Sequence, residues 1–332
     1  MGARIAGLGV YLPESTRSTA QTERDLREAN PGLRLPTGLI HRMTGVESVH
    51  LREHGWQTSD LAVAASRIAL AESPGDIDLV IFAAASQDLI EPATSHIVAA
   101  KLGFECPVMD IKNACNSVIN AMEVAAALIA AGQYRRVLIA SGEQPSQAVR
   151  WSLRDKDQFI RSFPGYTMSD GGAAVIMEAT DDVDAGIIDS HFTAVSRHWS
   201  VGTLPTGGSM NPRGDENSYF DMDGAGLQAA FLELGPDPVL RLLAKNDLSW
   251  DDFDLVAIHQ VALPYLPPIF DRLGVTPDKS VVTIAAHGNL ASVTLPLQLI
   301  RARESGMVGP GSLVLLIGLA GGISLGLMVV RL

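Results

Sequence analysis

The chain has 332 residues, 47% of them hydrophobic, and a formal net charge of −12. That length supports one large α/β domain or two mid-sized ones, and the negative balance excludes nucleic acid as an expected partner. The two cysteines, Cys106 and Cys115, lack CxxC spacing and the histidines are scattered, which points to a reducing compartment, no disulfide framework and no metal site. The first residues lack a charged n-region, an apolar core and a cleavage site, so no signal peptide is expected and the expected location is cytoplasmic.

In chain order, the first half predicts strands at 4–11, 79–85, 108–111 and 137–141, with helices over 58–72, 96–102 and 116–131. The second half predicts strands at 186–192, 255–259, 281–284 and 313–319, with helices over 226–245, 264–273 and 291–304. Strands that alternate with helices over short connections imply central sheets covered by helices. The stretch 199–219, with Gly207, Gly208, Pro212 and Gly214, predicts a long loop. Residues 312–330 carry no charge and are long enough to span a bilayer. Their glycines at 318, 321, 322 and 326 instead predict two buried strands around a turn, and no membrane span.

The chain also resembles itself. Ile77-Asp-Leu-Val-Ile-Phe-Ala83 matches Phe253-Asp-Leu-Val-Ala-Ile-His259 at an offset of 176, and Arg136-Val-Leu-Ile-Ala-Ser-Gly142 matches Leu313-Val-Leu-Leu-Ile-Gly-Leu319 at 177. A shared offset at two separate places argues for a duplicated unit, with halves 1–178 and 179–332. Adding 176 to Cys115 lands on Ala291, inside His287-Gly-Asn-Leu-Ala-Ser292. The cysteine and the HGN turn are thus expected at equivalent strand-to-helix junctions, brought together by a pseudo-twofold.

Cys115 follows an apolar stretch and precedes an alanine-rich helical pattern. A cysteine at a helix start is expected to have its thiol pKa lowered by the helix dipole; a buried core cysteine is the competing reading. A nucleophilic cysteine beside a histidine suits acyl transfer through a thioester. His259 is a candidate base or donor, and Asn289 a donor to a developing oxyanion. Gly321 and Gly322 occupy a turn where backbone approaches a ligand closely, and with the Cys115 amide they could form an oxyanion hole. Each has a bland alternative: a structural histidine, a turn asparagine, a plain Gly-Gly turn.

The Asp110–Cys115 run, Asp170-Gly-Gly-Ala-Ala174, Ile258-His-Gln260, His287-Gly-Asn289 and the glycine-rich tail together resemble the thiolase superfamily, in particular its ketoacyl-ACP synthase III condensing enzymes. The resemblance covers nearly the whole chain. It implies a five-layer αβαβα fold, acylation of Cys115, stabilisation of an enolate by His259 and Asn289, and thioester carbonyl binding by the Gly322 amide. It implies no cofactor beyond acyl-CoA or acyl-phosphopantetheine substrates, an acyl carrier protein or CoA as partner, and a homodimer with residues 86–95 at its interface.

A narrower resemblance rests on Ser86-Gln-Asp-Leu-Ile-Glu-Pro-Ala-Thr-Ser95, Asn113-Ala-Cys-Asn116 and His259-Gln-Val-Ala-Leu-Pro264. These look like the enzymes that join two acyl chains head to head in olefin, pyrone and dialkylresorcinol pathways. There a glutamate at the place of Glu91 enters the second subunit's site as a base; a desolvated carboxylate can remove an α-proton. A solvated loop acid is the alternative. The chain departs from the wider family at Pro264 and Met43, where arginines are common, and at Asn116, which is expected to alter the acyl pocket. The expected reaction is Claisen-type condensation of two acyl thioesters. An initiating synthase that decarboxylates malonyl carrier protein, and an acyltransferase to an alcohol or amine, are the alternatives.

Overall fold

The structure is a computed structural model that describes residues 2–182 and 184–332. Two sheets organise it. The first has five strands in the order Gly2–Tyr11, Gly171–Thr180, Arg136–Glu143, Leu79–Ala83, Val108–Ile111. The second has four, in the order Leu255–Ile258, Leu313–Ala320, Ser324–Arg331, Gly186–Ala194. The corresponding central pairs, Leu79–Ala83 with Arg136–Glu143 and Leu255–Ile258 with Leu313–Ala320, are both parallel.

Side chains alternate across each strand and so serve two cores. Leu79, Ile81 and Ala83 face a central apolar cluster, while Val80 and Phe82 face an outer one. The second sheet repeats the pattern, with Leu255 and Ala257 in the central cluster and Val256 and Ile258 outside. Two helices fill the central layer: Ser117–Ala130, through Val118, Met122, Ala125 and Ile129, and Thr294–Glu304, through Leu295, Leu299 and Ala302. Ser117–Ala130 reads VINAMEVAAALIA after its first serine, with one acidic residue, as a helix covered on opposite sides must. Helices Thr58–Glu72 and Thr94–Leu102 cover the outside of the first sheet. Asp237–Lys245 and Leu266–Leu273 cover the second. The layers therefore run helix, sheet, helix, sheet, helix, as the resemblance implied.

Residues 312–330 do form two antiparallel buried strands around a turn, and among the described residues no helix is long and apolar enough to cross a membrane. Three expectations about elements need correction. The helix expected over 226–245 is two, Gly224–Leu234 and Asp237–Lys245, because Gly235 takes φ +63° and Pro236 has no N–H to continue the ladder. The strand Gly171–Thr180, which lies between Gly2–Tyr11 and Arg136–Glu143 in the first sheet, was not expected. The strand expected at 281–284 does not form. The buried Gln260 side chain takes its backbone groups instead: Oε1 accepts from the N–H of Thr283 (2.9 Å) and Ile284 (3.0 Å), and Nε2 donates to the Val281 carbonyl (2.8 Å). That segment would have been the counterpart of Val108–Ile111, so the second sheet is one strand short.

Candidate active site

Cys115 lies in the bend between the strand Val108–Ile111 and the helix Ser117–Ala130. The bend is tight: Ala114 takes φ +45°, and the N–H groups of Asn116 and Ser117 bond back to the carbonyls of Asn113 (2.9 Å) and Ala114 (3.1 Å). A left-handed alanine is strained, and the strain aims the next side chain out of the junction. The same bend recurs at 290–293. Ala291 takes φ +49°, and the Val293 N–H bonds to the Leu290 carbonyl (3.0 Å). The register that superposes the bends is 177, not 176, so the residue equivalent to Cys115 is Ser292 rather than Ala291.

Cys115 keeps part of its surface exposed, yet dense packing around the sulfur, and then the charge of Glu143, push its thiol up to about 12. This reverses the direction expected from the helix start. Desolvation of the thiolate outweighs the half-charge of a helix terminus.

His259 continues the strand Leu255–Ile258, its N–H bonding to the Ile317 carbonyl (2.9 Å). The next residue on that neighbouring strand, Gly318, faces the helix of Cys115: a side-chain carbon there would lie 2.1 Å from Asn116 Oδ1. The strand pairing thus carries His259 toward the start of the helix that follows Cys115. Burial alone lowers the imidazole to about 4, so it is neutral across the physiological range. Both ring nitrogens are buried with no hydrogen-bond partner among the described residues, an arrangement costly unless something polar enters.

Asn289 is set by its surroundings on each side. Its N–H bonds to the Thr167 carbonyl (2.8 Å), its carbonyl accepts from Ser169 (2.9 Å), and Oδ1 accepts from the Ala291 N–H (2.9 Å). With Oδ1 engaged, the amide NH2 is the free end, and it donates to no group among the described residues. Gly288 before it takes φ +67°, and a side chain there would strike the Thr167 carbonyl at 2.7 Å. Hence the HGN turn tolerates no larger residue at its centre.

The hairpin turn 321–323 closes over the bend, with the position a Gly321 side-chain carbon would occupy 4.0 Å from Ala114 Cβ. Gly322 takes φ +81° with open space above its α-carbon, a place where backbone can meet a ligand. Asn116 does not line that space. It is fully buried, and Nδ2 donates to Ser324 Oγ (3.0 Å) and the Ser324 carbonyl (3.3 Å), tying the hairpin to the start of helix Ser117–Ala130. Its Oδ1 has no hydrogen-bond partner among the described residues. Glu91 is exposed on the loop before helix Thr94–Leu102 and makes no side-chain hydrogen bond among the described residues.

Glu143 was not anticipated from sequence. It ends the strand Arg136–Glu143, is fully buried, and accepts from the Ala85 N–H (2.9 Å), the Ser86 N–H (3.1 Å), Ser86 Oγ (3.0 Å) and Ser292 Oγ (2.6 Å). A register of 177 would have placed a serine opposite Cys115 and drawn attention to what it touches. No group of histidine, cysteine or carboxylate side chains able to hold a metal is found among the described residues.

Comparisons with known proteins identify the family and the fold. Residues 109–196 match the family model for 3-oxoacyl-[acyl-carrier-protein] synthase III, and 243–332 match the model for its C-terminal part. The chain is 33% identical to the beta-ketoacyl-[acyl-carrier-protein] synthase III of Rhodospirillum rubrum, over 99% of this chain and 98% of the relative. It is 31% identical to that of Thiobacillus denitrificans, over 99% of both. Among solved structures, the Aquifex aeolicus 3-oxoacyl-[acyl-carrier-protein] synthase III superposes with a TM-score of 0.85 at 24% identity over all of both chains. OleA from Xanthomonas campestris superposes with 0.90 at 23% identity, over 100% of this chain and 98% of that one. The chain belongs to the beta-ketoacyl-[acyl-carrier-protein] synthase III family, condensing enzymes of the thiolase fold that act as acyltransferases.

Proposed function

We propose that Cys115 carries an acyl group taken from an acyl thioester, and that the acyl group is then joined to the α-carbon of a second acyl thioester. In the first step sulfur of Cys115 attacks the thioester carbonyl, the bond to the departing thiol breaks, and the thiol proton leaves with that thiol. In the second, an enolate of the other thioester attacks the acyl carbonyl, the carbon–sulfur bond breaks, and Cys115 leaves as a thiolate that takes up a proton from solvent or from the protonated base. The observation that carries this reading is His259, whose two buried ring nitrogens lack hydrogen-bond partners among the described residues; the Asn289 carboxamide, with Oδ1 held by the Ala291 N–H, has its NH2 free to donate as well. A neutral imidazole N–H and a carboxamide N–H are the donors an enolate oxygen needs, since neither requires a proton to be supplied first. Gly322, and Gly321 before it, fit the acyl carbonyl's approach.

The enolate can arise in two ways. Loss of carbon dioxide from a malonyl thioester needs no base, and the relatives in sequence are named as synthases of that family. Direct removal of an α-proton does need one, and the unpartnered carboxylate of Glu91, supplied by a second copy of the chain, is suited to it. The carbon skeleton of the product distinguishes them. Incubation with acyl-CoAs and acyl carrier thioesters of increasing length, read by intact mass, is expected to add one acyl group on Cys115. Product analysis with and without malonyl thioester then identifies the source of the enolate. Product formed without malonyl thioester and lost in Glu91→Gln supports the base role; no adduct from any donor overturns the whole reading.

A further inference from the structure

The HGN turn is held by a residue 237 positions earlier in the chain. Its histidine, His287, meets His50 at the end of the short strand Ser48–His50: His287 Nδ1 lies 3.0 Å from His50 Nε2, with the two rings within 18° of parallel. A carbonyl fixes the proton positions in this pair. His50 Nδ1 lies 2.7 Å from the Pro13 oxygen, which can only accept, so that nitrogen carries the hydrogen and Nε2 of the neutral ring offers a lone pair. His287 Nδ1–H is then the donor. Burial, and after it His50 and Arg301, lower His287 to about 4, so it is neutral through the physiological range. Hydrogen bonds therefore run from Pro13 through His50 to the residue two before Asn289. The backbone of His50 reaches the same turn by a second route. Its N–H donates to Ser169 Oγ (2.7 Å) and its carbonyl accepts from the Asp170 N–H (3.0 Å); the Ser169 N–H in turn donates to the Asn289 carbonyl (2.9 Å). Val49, one residue earlier, closes on the centre of the turn, where a Gly288 side-chain carbon would lie 2.8 Å from Val49 Cγ1.

We propose that His50 is a positioning residue for the carbon–carbon bond-forming step, acting through His287 to hold the HGN turn so that the Asn289 carboxamide keeps its NH2 in place for the enolate. This rests on the reading of Asn289 as an enolate donor and adds what holds that donor. With Oδ1 tied to the Ala291 N–H, the direction of the NH2 follows the backbone of the turn. Such a donor contributes only when it is already in place as charge develops, and about 1 Å of misplacement costs about 10²-fold in rate. A bond between two rings that fixes the turn thus bears on the rate without His50 itself entering the chemistry.

The test separates the two steps of the reaction. It uses the acyl-CoA that loads Cys115 to the greatest extent in the length series, alone and with malonyl-CoA; intact mass reads the loading and product analysis reads the new carbon–carbon bond. His50→Phe, which keeps a flat ring and removes both nitrogens, is expected to slow bond formation by about tenfold or more, while loading stays within about twofold of wild type. His50→Gln, whose Oε1 can accept from His287 Nδ1–H, is expected to recover most of the loss. In an Asn289→Ala background, adding His50→Phe is expected to cost less than about twofold, because no donor is left to position. Equal loss of loading and bond formation in His50→Phe overturns the proposal, as does no recovery in His50→Gln, or a loss that persists in full in the Asn289→Ala background. If His50→Phe does not fold, His287→Phe breaks the same bond from its other end and is held to the same outcomes for loading and for the Asn289→Ala background. Asn289→Ala that forms the bond at the wild-type rate overturns the reading of Asn289 and this inference together. A slow Asn289→Ala beside an unaffected His50→Phe removes this inference alone.

Discussion

At residues 113–116 and again at 290–293 the chain makes one bend twice, with Ala114 at φ +45° and Ala291 at φ +49°. The first presents Cys115 with part of its surface open; the second presents Ser292, buried and bonded to Glu143. Around them the sheets differ as well. The first has its edge strand Val108–Ile111, and the second replaces the corresponding strand with the side chain of Gln260. The two bends share one backbone geometry. Which of them became the site was decided by side chains: a thiol with an opening on one side, a hydroxyl sealed against a carboxylate on the other.

The largest effect should come from removing the difference at the bends. Cys115→Ala is expected to abolish the acyl adduct seen by intact mass, and adding Ser292→Cys to it is expected not to restore the adduct, since the second bend is sealed. Recovery of acylation in the double variant would show that the two bends are interchangeable. Next comes the second step of the reaction. Asn289→Ala is expected to slow carbon–carbon bond formation by about 10²–10³, the usual cost of one oxyanion donor, while acylation of Cys115 stays within a few-fold. Equal loss in both steps would assign Asn289 to the shape of the HGN turn instead. The sheet asymmetry is tested by Gln260→Ala, which leaves two buried N–H groups and one carbonyl without their partner. The expected loss is about 2–4 kcal/mol in urea denaturation, given about 1–3 kcal/mol for a buried group left unmade. A loss under about 1 kcal/mol would mean that 281–284 pairs readily without it.

Several of these features could be read before folding. The two internal matches located both central strand pairs, and the expected helix 58–72 coincides with Thr58–Glu72. Cys115, His259 and Asn289 stood out as candidates because they fall at matching positions in the two halves and together carry the family resemblance. The strand at 281–284 was misread because Val281, Val282 and Ile284 carry β-branched apolar side chains while the group that claims their backbone lies more than twenty residues earlier. Glu143 and Ser292 were missed for a related reason. Both repeat offsets, 176 and 177, were in the sequence, and only the second places a serine opposite the cysteine. The direction of the Cys115 shift failed because a helix start is a local property and can be read from sequence, whereas burial and a charge 28 positions along the chain are not.

The smallest expected effect is a comparison of strain. Both alanines sit in the left-handed region, where an L-residue costs roughly 1–2 kcal/mol, and glycine relieves that cost at either bend. Against this stands the greater entropy of glycine in the unfolded chain, about 0.4–1 kcal/mol. A third contribution separates the two sites. Ala291 is 3% exposed while Ala114 is only partly buried, so Ala291→Gly also gives up a buried methyl worth about 0.8 kcal/mol. Ala114→Gly is therefore expected to lie within about 1 kcal/mol of wild type on the stabilising side. Ala291→Gly is expected to be less stable than Ala114→Gly by about 0.8 kcal/mol. Urea midpoints with unchanged slopes would measure both. The reverse order would mean that the bends store different strain despite matching angles, and that the first bend, the one holding Cys115, is the more relaxed of the two.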